Sequence, residues 1–181
     1  SKDWQENYQA QLDLNRLVKV LFLPYLIGER SPIWDEKATG AFIGLTKETG
    51  KMELYQAVLQ GVAFAIKQNI ELLQEDNSTV VRAVGGGAGN LAWLQMKADI
   101  TGKIYEKPEL IDSAALGSAL IAGFGRGDYS LEDLVSKWVK VDKVFYPNKR
   151  LFTSYQKLYL LYERAYPDLK NIYHQLADLG I

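Results

Sequence analysis

Apolar positions along the chain recur at two different spacings, which predict alternating helices and strands. Between residues 52 and 75 they return every three or four positions, as on one face of a helix. The runs 18–23 and 79–84 are instead mostly apolar throughout, which is typical of buried strands. The predicted helices are 3–16, 52–75, 90–101, 113–125, 131–138 and 148–179, the last broken at Pro167, and the predicted extended segments are 18–23, 41–45, 79–84, 102–105 and 143–146. This alternation favours an α/β layer structure.

Two of the predicted helices carry further patterns. Helix 113–125 is rich in small residues, which predicts close packing against a sheet or a neighbouring helix. In helix 148–179 four tyrosines fall at steps of four, three and four and share one face, namely Tyr155, Tyr159, Tyr162 and Tyr166. No basic residues line that face, so the stripe indicates core or interface rather than a platform for nucleic-acid bases.

The junction at residues 79–90 (TVVRAVGGGAGN) is the most informative stretch, because a strand runs into glycines and then into a helix. Glycines lack Cβ atoms, adopt positive φ and let the backbone approach a ligand closely. The N–H groups that open the following helix favour an anion or a polar acceptor. The junction therefore predicts a nucleotide site.

Two phosphate-binding templates can be compared with the glycines. The P-loop fails, because five residues separate Gly44 from Gly50 where four are needed, and Lys51 precedes a methionine. The dinucleotide fingerprint G-x-G-x-x-A fits Gly87, Gly89 and Ala92, and Glu106 stands at the end of the next predicted strand. An NAD-dependent oxidoreductase is therefore one alternative.

The composition of the chain excludes several classes of protein. The 181 residues carry 21 basic and 22 acidic side chains, and the resulting net charge of -1 gives no overall attraction to nucleic acid or a membrane surface. The chain has no cysteine and a single histidine, which excludes a disulfide framework and a cluster of histidine ligands. The longest apolar run, 17–27, is too short to span a bilayer. We expect a cytoplasmic protein that binds neither nucleic acid nor membrane.

Several blocks, in order, resemble one known family. Residues 40–45 (GAFIGL) followed by 53–60 (ELYQAVLQ) resemble the carboxyl-terminal signature of the FGGY family of carbohydrate kinases. Residues 22–35 (FLPYLIGERSPIWD) resemble the family's preceding block. Residues 85–100 (GGGAGNLAWLQMKADI) resemble its adenosine motif, and 115–119 (ALGSA) the small-residue helix beyond.

The resemblance implies a fold and a set of site residues. The fold is that of the ribonuclease H-like, actin-type ATPases, and residues 1–181 would be part of the second, nucleotide-binding lobe, with a central sheet packed with helices and a helical carboxyl-terminal extension. Adenine and ribose would lie along Gly85, Gly86, Gly87 and Ala88, and Asn90 could hydrogen-bond the base or the ribose. The loop 28–30 (GER) would lie near the cleft, or an internal ion pair within it would brace a turn.

The resemblance also implies what other parts of such an enzyme supply. The family's Asp-x-Gly-Ser/Thr phosphate motif does not occur in this sequence, and its catalytic Asp and sugar-binding residues belong to the amino-terminal lobe. The full enzyme would use ATP and Mg²⁺, whereas this chain alone should be inert. At Trp34 the sequence resembles those of gluconate kinases, while at the triple glycine and at residues 114–117 (AALG) it resembles those of xylulose kinases. A homodimer, and a non-catalytic binding or dimerisation module derived from the same lobe, stay open as alternatives.

Overall fold

The computed structural model describes residues 12–13, 15–73, 79–127 and 129–179. The strands are β1 (Leu21–Leu23), β2 (Ala41–Ile43), β3 (Val80–Arg82), β4 (Ile104–Pro108) and β5 (Val141–Phe145). The α-helices are α1 (Lys51–Leu72), α2 (Leu91–Thr101), α3 (Ser113–Gly125), α4 (Leu131–Trp138) and α5 (Lys149–Asp178), and a short 3₁₀ helix spans Gly86–Gly89. The predicted α/β class is confirmed. The predicted helix at 3–16 falls mostly outside the described residues, and residues 12–13 and 15–16 are not helical.

The described strands form two small sheets rather than one central sheet. Strands β1 and β2 pair antiparallel, with Phe22 opposite Phe42. The second sheet has the order β3-β4-β5, in which β3 and β4 are parallel and β5 is antiparallel to β4. Helix α2 connects the two parallel strands, so β3, α2 and β4 form a βαβ unit.

The main core lies between β1, α1, α2 and α5. The two faces of β1 enter different clusters, because side chains alternate along a strand: Leu21 and Leu23 join the main core, and Phe22 packs beside Ala57 of α1. Helix α1 comes so close to β1 that a Cβ atom on Gly61 would lie 2.2 Å from the Phe22 carbonyl oxygen. Glycine at this position is what permits the close packing of helix and strand.

The tyrosine stripe of α5 faces this core, as the sequence predicts. All four tyrosines are buried, and Phe64 of α1 packs against three of them, with ring centroids 5.2 Å from Tyr162 and 5.7 Å from Tyr159. The predicted break at Pro167 is wrong, because α5 is continuous from Lys149 to Asp178. Buried Tyr162 and Tyr173 hold the helix against the core on either side of the proline. Their burial offsets the hydrogen bond that the proline cannot donate.

The small-residue helix α3 is packed less closely than predicted. A Cβ atom on Gly123 would make ordinary contact with Leu134 of α4, at 3.4 Å, but one on Gly117 would meet no heavy atom within 4 Å. Ile121 is 69% exposed. Only one end of α3 therefore uses its small residues for close approach.

Candidate functional site

The glycine run turns the chain sharply at the carboxyl end of β3. Gly85 has φ +78° and ψ −175°, a conformation that L side chains rarely adopt, and its N–H donates to the Ile111 carbonyl at 2.9 Å. The Ala88 N–H donates back to the Gly85 carbonyl at 3.0 Å and closes the 3₁₀ turn. The positive φ at Gly85 is thus the local reason for a glycine at the head of this run.

A cleft of about 400 Å³ opens between this turn and the start of α3. Its lining residues are Gly85, Gly86, Ile111, Asp112, Ser113 and Ala114. A Cβ atom on Gly86 would meet nothing within 4 Å, so the backbone there borders open space. The cleft lies beyond the carboxyl ends of the parallel strands β3 and β4, where ligands bind in open α/β sheets. The position of the cleft suits a ligand that lies along the bare backbone of Gly85 and Gly86.

The other three predicted residues of the run face the protein. A Cβ atom on Gly87 would lie 3.2 Å from the Trp93 ring, and the Ala88 side chain is buried. The Asn90 side chain is buried and caps α2 by accepting the Trp93 N–H at 3.0 Å, and it also hydrogen-bonds Tyr55. Burial outweighs that bond and raises the pKa of Tyr55. Gly85 and Gly86 therefore line the cleft directly, and a ligand contact from Gly87, Ala88 or Asn90 stays a prediction.

Two side chains behind the turn were missed in the sequence. The Lys97 ammonium lies 3.7 Å from the centroid of the Trp93 ring, and the Trp93 indole N–H donates to the Leu59 carbonyl at 3.0 Å. Burial lowers the pKa of Lys97. Their spacing of four residues on a helix was the available signal. For the other side of the cleft, residues 111–113, the sequence held only a weaker signal. Asp112 can cap α3, and in the structure its carboxylate accepts the Ala115 N–H at 3.2 Å.

The loop at residues 28–36 is braced mainly by hydrogen bonds to the backbone. The Glu29 carboxylate accepts the N–H groups of Arg30 and Ser31 at 2.8 and 3.1 Å, and the backbones of Glu29 and Asp35 exchange two hydrogen bonds of 2.9 Å. A groove of about 240 Å³ runs beside Gly28 and Trp34, and Trp34 is 86% exposed. The loop is thus braced by the Glu29 carboxylate on backbone N–H groups and not by the expected ion pair between Glu29 and Arg30, and its role near a cleft stays a prediction.

Asp35 anchors this loop to helix α5. Its carboxylate accepts the Tyr166 hydroxyl at 2.7 Å and the Lys37 N–H at 3.0 Å, and it lies 2.8 Å from Nε2 of His174. The hydrogen bond from Tyr166, aided by those from His174 and Lys37, lowers the pKa of Asp35 to about 2. The carboxylate therefore stays ionised while it joins loop and helix.

Glu106, the acidic residue that the dinucleotide template requires, is bound within the sheet. It pairs with Arg82 across the parallel strands, and the Arg82 guanidinium donates to its carboxylate at 2.8 Å. A ribose hydroxyl would have to compete with this ion pair.

Across the described ranges, no helix is both long enough and apolar enough to cross a membrane.

The chain is a mixed α/β lobe of the actin-like ATPase fold, which it shares with the sugar kinases onto which it superposes. The chain belongs to the FGGY family of carbohydrate kinases, whose C-terminal domain matches residues 1–125. The xylulose kinase of Bacillus subtilis is 35% identical over 156 residues, which cover 84% of this chain and 31% of that protein.

Solved structures agree with this assignment. A ligand-bound xylulose kinase from Lactobacillus acidophilus superposes with a TM-score of 0.82 and 29% identity over 97% of this chain and 36% of the other. A gluconate kinase from the same organism gives a TM-score of 0.81 and 29% identity, with the same shares covered. The resemblance that the motifs implied is confirmed, and the chain spans about a third of the length of these relatives.

Proposed function

We propose that this chain provides the ATP-binding side of a carbohydrate kinase, as its second lobe. The observation that carries the proposal is the bare backbone at Gly85 and Gly86, which borders a cleft of about 400 Å³ at the carboxyl ends of parallel strands. A Cβ atom on Gly86 would meet nothing of the protein within 4 Å, so a ligand can approach the backbone there. Membership of a family of carbohydrate kinases supports ATP as the nucleotide.

Each part of the turn has a separate task in this proposal. The backbone of Gly85 and Gly86 lies along the adenosine, while Asn90 fixes the start of α2 and so holds the turn in shape. ATP, when bound, supplies the phosphoryl group for transfer to a sugar hydroxyl. The chain's own residues bind and orient the nucleotide.

We propose that the metal and the general base come from outside this chain. Among the residues that the structure describes, no group of three or more His, Cys, Asp or Glu side chains could hold a metal ion. Mg²⁺ would reach the site with the ATP phosphates, and an aspartate of an amino-terminal lobe would accept the proton of the sugar hydroxyl, as the family resemblance implies. The isolated chain should bind nucleotide without catalysing transfer.

For the acceptor we propose a ketopentose or a sugar acid. Xylulose kinases and a gluconate kinase are among the similar proteins, which supports xylulose and gluconate as the first substrates to test. In a full-length kinase carrying this chain, a coupled assay of ADP release should detect turnover with one of them. Turnover with none of gluconate, xylulose, ribulose, rhamnulose and glycerol would favour the non-catalytic module instead.

Calorimetric titration of the chain with ADP, ATP and NAD tests the nucleotide site directly. ADP and ATP should bind weakly, and more tightly than NAD. Gly86→Leu should weaken ADP binding about tenfold or more, because its side chain would enter the cleft without striking the protein.

Gly89→Leu is the matched control. A Cβ atom there also meets nothing within 4 Å, in the same turn but outside the cleft lining, so ADP affinity should be retained. Tighter binding of NAD than of ADP would refute the kinase assignment. Undiminished ADP affinity in Gly86→Leu would remove the cleft from the site.

A further inference from the structure

Lys97 places a buried positive charge directly behind the glycine turn. The residue is 7% exposed, and its ammonium lies 3.8 Å from the point where a Cβ atom on Gly87 would stand. The Trp93 ring lies under the ammonium at 3.7 Å, and the hydrogen bond from Trp93 to Leu59 fixes the ring in turn. The charge is therefore held in one place beside the candidate nucleotide site.

No protein anion compensates this charge within the described part of the chain. Lys67 of α1 is buried to a similar degree, but its ammonium lies 2.6 Å from the Glu71 carboxylate. Lys97 has only the face of Trp93, and such a contact recovers part of the free energy that an ammonium loses on leaving water. A buried cation without a carboxylate is costly unless something else pairs with it.

The position of Lys97 indicates what that partner is. Its ammonium lies 3.8 Å from the point where a Cβ atom on Gly87 would stand, and Gly87 follows directly on Gly85 and Gly86, which line the cleft. We propose that Lys97 is an affinity-determining residue whose charge favours phosphorylated nucleotides over the uncharged nucleoside at this site. The inference rests on the proposed nucleotide function and extends it to a residue beyond the glycines and Asn90.

Lys97→Met tests the inference, because it keeps the length of the side chain and its packing on Trp93 while removing the charge. Titration with ADP and with adenosine separates charge from shape. ADP should bind about five-fold more weakly to the variant, because one charge attracts the phosphates through a partly screened site, while adenosine affinity should stay within about two-fold. Added salt should weaken ADP binding less in the variant than in the unaltered chain.

Two further variants complete the test. Lys137→Met is the matched control, since Lys137 also lies over a tryptophan ring, that of Trp138 at 5.9 Å, but on a different helix. It should leave ADP affinity unchanged. Lys97→Arg keeps the charge and should restore most of the lost ADP affinity.

The outcomes distinguish this inference from the function on which it rests. Equal loss of ADP and adenosine binding in Lys97→Met would assign Lys97 to packing alone and overturn the inference, as would an unchanged ADP affinity. In both cases nucleotide binding by the unaltered chain would still stand. An unaltered chain that binds neither adenosine nor ADP would overturn the proposed function and this inference together.

Discussion

Substituting Gly61 by alanine is the most direct test of how the core is built. Helix α1 crosses β1 at this residue, and the added Cβ atom would lie 2.2 Å from the carbonyl oxygen of Phe22 and 3.1 Å from its carbonyl carbon. Non-bonded carbon contacts are ordinarily about 3.5 Å or longer. Both contacts are with backbone, so no side chain can rotate away, and helix and strand would have to separate by about 1 Å.

The expected cost follows from what this separation disturbs. Overpacking of this kind costs about 1–3 kcal/mol. The Gln60 side chain donates to the Val18 carbonyl at 3.0 Å and accepts its N–H at 3.3 Å, and weakening these bonds adds about 1 kcal/mol. Alanine regains about 1 kcal/mol in helix propensity. Gly61→Ala should therefore lower the free energy of unfolding by about 1–3 kcal/mol, or the melting temperature by roughly 2–12 °C.

Urea and thermal unfolding, followed by circular dichroism, measure this change against a matched substitution. Gly117→Ala makes the same chemical change inside helix α3, where a Cβ atom would meet nothing within 4 Å. It should raise the free energy of unfolding by about 0.5–1 kcal/mol through helix propensity alone. If both variants were equally stable, the close approach of α1 to β1 would be refuted.

Three further predictions concern individual side chains. The pKa of Asp35 is lowered in the folded chain, so the ionised carboxylate should stabilise the fold fully above about pH 4 and lose this effect as the pH falls through about 2. The urea midpoints of Asp35→Asn should therefore vary less over that pH range than those of the unaltered chain. Gln60→Met leaves the N–H and carbonyl of Val18 without their side-chain partners and should cost about 2 kcal/mol or more in urea unfolding. Asn90→Ala removes a helix cap and should cost about 1 kcal/mol, measured in the same way.

The sequence predicted features whose cause is local. A glycine at position 85 and an asparagine at position 90 correctly located a turn and a helix start, because positive φ and capping depend on neighbouring residues only. The spacing of tyrosines in α5 likewise identified its buried face. Pro167 was misjudged because the propensity of one residue is weaker than the packing of a whole helix face.

Features that join distant segments could not be predicted in this way. The clash that excludes a side chain at Gly61 depends on Phe22, and the second wall of the cleft comes from Ile111 and Ser113. Neither contact leaves a periodic signal in the sequence. The spacing of Trp93 and Lys97 indicates only that the two side chains meet, whereas the folded chain shows that the ammonium lies close to Gly87 with no anion beside it among the described residues.

The helical extension beyond the family match helps to hold the candidate site in place. The buried Asp99 carboxylate of α2 accepts the N–H of Asn148, the residue that caps α5, at 2.8 Å. Gln95, one turn earlier on α2, donates to the Tyr146 carbonyl at 2.8 Å. Burial raises the pKa of Asp99, and the hydrogen bonds that Asn148 and Gln95 donate to its carboxylate compensate that burial. Because α2 begins where the glycine turn ends, residues outside the 1–125 match fix the orientation of the turn. Nucleotide affinity should therefore depend on α5, although α5 contributes no residue to the cleft lining.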